Sequence, residues 1–113
     1  MPIYLHQWRY KDKEVKAMVL RPQDREEVVR IAVEAFEGRL HAFYLCFGKY
    51  DGLIITEFPD NETALACLMA IVGQGGAAAL ETTTLISADE ARRAMLKAGE
   101  LLTTYRTPSA DPD

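Results

Sequence analysis

Two runs rich in β-branched and aromatic residues, 39–47 and 51–58, are joined through Gly48-Lys49-Tyr50-Asp51. Strands so closely joined must pair antiparallel, and the resulting hairpin is the frame to which the rest of the chain attaches. With Lys49 and Tyr50 as the two loop residues, position 48 pairs with 51, 46 with 53 and 44 with 55. Tyr44, Cys46, Leu53, Ile55 and Glu57 then share one side of the ribbon, and Phe43, Leu45, Phe47, Ile54, Thr56 and Phe58 the other. The second set is the more apolar and is expected to lie under helices.

The flanking segments supply those helices and two more strands. Ile3–Tyr10 alternates in polarity and reads as a first strand. Residues 11–20 carry Val15, Met18 and Val19 at helical spacing and stop before Pro22. A longer helix is predicted over 22–37, with Pro22 in its first turn, Asp24, Glu26 and Glu27 near its positive end, and Val28, Ala32, Ala35 and Phe36 as its apolar stripe. Asp60 or Asn61 can cap a helix reaching Val72, with Ala64, Leu65, Leu68, Met69 and Val72 on one face. Residues 80–86, with threonines at 82, 83 and 84, favour a fourth strand. The Ser87-x-x-Glu90 capping box opens a last helix ending between Lys97 and Leu101, whose apolar side is mostly small: Ala91, Ala94, Met95 and Ala98. Residues 1–100 are expected to form a single α+β domain, and 101–113 a flexible tail.

This order is the ferredoxin-like βαββαβ pattern with an added C-terminal helix. Right-handed crossovers arrange its four-stranded antiparallel sheet as 4-1-3-2, with helices on one face. On the first strand, Ile3 and Leu5 are assigned to the covered face, leaving Tyr4, His6, Trp8 and Tyr10 on the open one beside Tyr44, Leu53 and Ile55. So large an apolar patch is not left in water, and pairing of two copies through the open face is the expected remedy.

Composition narrows the partners. Lys and Arg number 13 against 17 Asp and Glu, a net charge of -4, which argues against a nucleic-acid binder that must displace counterions from phosphates. The longest apolar run, 64–72, is too short for a bilayer, and the N-terminus has no signal-peptide pattern, so a cytoplasmic protein without membrane association is expected. Cys46 and Cys67 lack metal-site spacing and are expected to be reduced and buried.

Gly48-Lys49-Tyr50-Asp51 after Phe43-Tyr44, the Glu57-x-Pro59-Asp60 strand exit and the Thr82-Thr83-Thr84-Leu85 strand resemble the GYD domain family, over residues 3–98. The resemblance implies a ferredoxin-like subunit of a dimeric α+β barrel, in a family of largely uncharacterised role. A more distant similarity connects the same hairpin and threonine-rich strand to the effector-sensing domain of Lrp/AsnC-type regulators, without their DNA-binding helix-turn-helix. In structural terms Gly48 permits a positive φ, Asp51 accepts backbone hydrogen bonds and Tyr50 packs over the hairpin end.

No catalytic set is assembled. His6 and His41 are the only histidines and fall on opposite expected faces, which argues against a shared metal. No cofactor motif is present: Gly73-Gln74-Gly75-Gly76 follows a helix where a phosphate loop would precede one. His6, between Tyr4 and Trp8, and Glu57, among Tyr44, Leu53 and Ile55, are the candidate proton-transfer groups. Tyr4, His6, Trp8, Tyr44 and Glu57 form the candidate ligand site, bounded by the sheet and its helices or by the dimer seam. The expected function is a small homodimeric ligand-binding or accessory protein. The alternatives are a cofactor-free oxygenase or isomerase and a purely structural interaction module.

Overall fold

The computed structural model describes residues 1–110. Its elements are β1 (Ile3–Tyr10), α1 (Asp12–Leu20), α2 (Arg25–Ala35), β2 (Arg39–Leu45), β3 (Gly52–Glu57), α3 (Asn61–Val72), β4 (Ala77–Leu85) and α4 (Ala88–Glu100), followed by a 3-10 turn at Leu102–Thr104. The four strands form one antiparallel sheet in the order β2-β3-β1-β4, a ferredoxin-like α+β arrangement. Three helices begin where a side chain takes over an orphan backbone donor. Asp24 accepts from the Glu27 amide, Asp60 from Thr63 and Ser87 from Glu90.

The hairpin pairs differently from the two-residue expectation. Tyr44 opposes Leu53, Leu45 opposes Gly52, and the Cys46 amide donates to the Asp51 carbonyl, so the bend spans residues 47–50. The register moves by two positions. Because side chains alternate with a period of two, Tyr44, Leu53, Ile55 and Glu57 nonetheless stay together on the open face, and Ile54, Thr56 and Phe58 on the covered one.

β1 is placed the other way round. Tyr4, His6 and Trp8 are buried beneath the helices, and Ile3 and Leu5 face the open side. Both faces of this strand carry apolar groups, so alternation alone could not orient it; volume does. Trp8 stands opposite Gly52, where any Cβ would collide with the indole, and Tyr4 meets Phe58 with ring centroids 6.3 Å apart. An irregularity between Leu40 and Ala42 turns His41 to the open face, so the two histidines still lie on opposite faces, each on the side not expected.

The helical stripes shift as well. On α2 Val33 is fully buried and Val29 and Phe36 pack against the core, whereas Val28 is exposed. On α3 Ala64 and Cys67 are buried, while Leu65 and Met69 face outward. Cys46 is exposed rather than buried. Leu45 and Phe47, expected under the helices, are exposed as well. Neither α1 nor α4 buries a residue. Residues 111–113 of the expected tail lie outside the described residues.

Candidate ligand-binding cavity

Between the covered face of the sheet and helices α2 and α3 lies a cavity of about 100 Å³. Trp8 and Ile54 form its floor, Val29 and Val33 one wall, Leu68 and Ile71 the other, with Leu80 of β4 at the side. Among the described residues, no charged side chain lines it. Its polar atoms come from the centre of the sheet. His6 is 4% exposed, with Nδ1 2.9 Å from the Thr82 Oγ1 and Nε2 3.0 Å from the Thr56 Oγ1. Each hydroxyl can donate or accept, so a neutral imidazole, with one N–H and one bare nitrogen, is satisfied on both sides. Burial also penalises the charged form, lowering the His6 pKa from 6.5 to about 4.

The edges of the cavity are held by long-range bonds. The Tyr4 hydroxyl donates to Asn61 Oδ1 in the first turn of α3, and its pKa is raised by burial and by the nearby Asp60 carboxylate. The pKa of Cys67, buried on the same helix, is raised by desolvation, which keeps it a protonated thiol. At the other end of β1, Asp51 Oδ2 accepts from the Tyr10 amide at 2.8 Å, and the Asp51 amide donates to the Trp8 carbonyl. Gly48 has φ +140°, and the Tyr50 hydroxyl donates to Glu81 on β4. The hairpin motif is thus a clasp that ties β3 to β1 and β4 below the cavity floor.

The five residues expected to share a ligand site are divided by the sheet. Tyr4, His6 and Trp8 lie on the covered face; Tyr44 and Glu57 lie on the open one. There Glu57 Oε1 is 2.8 Å from His41 Nε2 and Tyr44 is 65% exposed. Thr56 and Thr82, the partners of His6, were readable only as β-branched strand residues. Their hydroxyls acquire a role because β1 runs between β3 and β4. Among the described residues no group of three or more His, Cys, Asp or Glu is arranged to hold a metal ion, and no helix is long and apolar enough to cross a membrane.

The chain matches the model of the GYD domain over residues 4–95, a span that includes the clasp, the cavity and, but for Ile3, all four strands. It belongs to the GYD domain family. This GYD domain is also similar to the crystal structure of TTHA0845 from Thermus thermophilus. The identity is 20%, the match covers 78% of this chain and 96% of that one, and the TM-score is 0.47. No curated protein matches this GYD domain in sequence.

Proposed function

We propose that this GYD domain is a homodimeric binding protein for a small, uncharged and largely apolar molecule. The observation that carries the reading is an apolar cavity whose polar end is a neutral histidine held between two threonine hydroxyls. Its size approaches the ~150 Å³ of an engineered apolar cavity that takes up benzene, so the ligand is on the scale of one small ring. An ionised ligand would enter without a counter-charge, whereas a hydroxyl or carbonyl can exchange hydrogen bonds with His6 and Thr56, which line the cavity. His6 is a poor proton acceptor near neutrality, which favours binding over proton transfer. A second copy covers the open face, where Leu5, Leu53 and Ile55 are only half-buried. The reading places the protein in the cytoplasm, whose reducing conditions keep the exposed Cys46 thiol free.

Trp8 is the only tryptophan and lines the cavity, so its emission reports occupancy. Titration with phenol, benzyl alcohol and benzoate, followed by Trp8 emission and melting temperature, tests the reading. The neutral compounds are expected to change the emission and raise the melting temperature, with benzoate inert. Equal stabilisation by benzoate, or no response to any of the three, overturns it.

A further inference from the structure

His6 is the middle of a hydrogen-bonded row that crosses three strands, from Thr56 on β3 through His6 on β1 to Thr82 on β4. The two ends differ in their surroundings. Thr56 is fully buried and lines the cavity, whereas Thr82 lies on an edge strand, is exposed and takes no part in the lining. Both ring nitrogens of His6 are engaged, so the Thr56 hydroxyl is the member of the row with capacity to spare on the cavity side. A hydroxyl has one proton and two lone pairs, and the bond to His6 uses only one of these positions.

Separations of 2.9 and 3.0 Å suit either direction of donation, and a neutral imidazole carries its proton on one nitrogen alone. The row therefore has two complete states. With the proton on Nε2, His6 donates to Thr56 and accepts from Thr82, which leaves the Thr56 proton available to the cavity. With the proton on Nδ1, His6 donates to Thr82 and accepts from Thr56. The cavity then meets only lone pairs of Thr56, and the Thr82 proton is freed towards solvent. All three groups reverse together, because a nitrogen that gains the proton obliges its threonine to accept.

We infer that this row is a reversible selector for the ligand proposed above, on whose binding in the cavity the selector depends. The Nε2–H tautomer of His6 takes rings whose polar group only accepts hydrogen bonds, and the Nδ1–H tautomer takes rings whose polar group donates. Thr56 meets the ligand; His6 and Thr82 are positioning residues that set which way Thr56 is turned. A mismatched ligand leaves one buried polar atom unpaired, which separates the tautomer ratios of the two ligand classes by about tenfold or more. The hydrogen-bonding sense of the occupant is thereby carried through the sheet to the exposed hydroxyl of Thr82.

The test uses the full chain with isotopically labelled histidine and three single-ring probes: pyrrole, which only donates, pyridine, which only accepts, and benzene, which does neither. At about pH 7.5 all three are uncharged, and nitrogen chemical shifts distinguish a protonated from a bare imidazole nitrogen. Comparison with His41→Gln assigns the His6 signals, since His41 is the only other histidine. Pyrrole is expected to drive His6 to the Nδ1–H form and pyridine to the Nε2–H form, with benzene leaving the ratio of the free protein unchanged. Trp8 emission and melting temperature record binding independently. Binding of the probes with the same His6 tautomer under pyrrole and pyridine overturns the selector alone, as does a doubly protonated His6 at this pH. Emission and melting temperature that ignore all three probes overturn the ligand role of the cavity and the selector with it.

Discussion

The buried imidazole makes a quantitative demand on pH. In the unfolded chain His6 titrates near 6.5, and in the folded protein near 4. Above the unfolded value both states are neutral there and stability is unaffected. As pH falls from 6.5 towards 4 the unfolded state takes up a proton that the folded state refuses, so stability is lost on acidification. At 1.36 kcal/mol per pH unit, the separation corresponds to about 3 kcal/mol at the bottom of that window. Urea unfolding of the parent and of His6→Gln isolates this quantity, because every other ionisable side chain is common to the two proteins. From about pH 7.5 to about pH 4 the parent is expected to lose about 3 kcal/mol more than the variant. A difference between the two that stays constant across the window refutes the burial argument, as does an NMR titration that puts the His6 midpoint near 6.5.

The remaining expectations concern packing, the clasp and assembly. Gly52→Ala drives a methyl group into the Trp8 ring and should cost about 1–3 kcal/mol in chemical denaturation. Gly48→Val meets the φ of +140° with a β-branched residue and should cost a similar ~1–3 kcal/mol, lowering the melting temperature. Asp51→Asn keeps an oxygen for the Tyr10 amide and should cost under about 1 kcal/mol; the reverse ranking would show that the clasp is misassigned. Ile55→Asp places a carboxylate on the open face and should convert a sheet-paired dimer into smaller species in light scattering, with a clean monomer for the parent being the contrary result.

Much of the fold was legible because its punctuation is local. Asp24, Asp60 and Ser87 announce helix starts, and Gly48 announces the bend, through interactions that span three or four residues. The hairpin faces survived a wrong loop length because the error was two residues and the strand period is two. The orientation of β1 was not legible, since Ile3 and Leu5 compete with Tyr4 and Trp8 for the core and only the empty volume over Gly52 decides between them. His41 was hidden by an irregularity with no glycine or proline to mark it. The cavity joins β1, β3, α2, α3 and β4, so no single window of sequence contains it.

The central position of β1 also sets a timetable. Its neighbours are β3 and β4, and the partners of His6 lie 50 and 76 residues further along the chain. Pairings this distant raise contact order and slow folding relative to a helical domain of the same length. At ribosomal speeds of about 5–20 residues per second, roughly ten seconds separate synthesis of His6 from that of Thr82. Throughout that interval one edge of β1 has no neighbour, and the imidazole has at most one of its two hydroxyl partners. The sheet is therefore completed only when the last-made strand, β4, closes it, and nascent chains stalled before Thr82 should be sensitive to proteases and prone to strand-edge association.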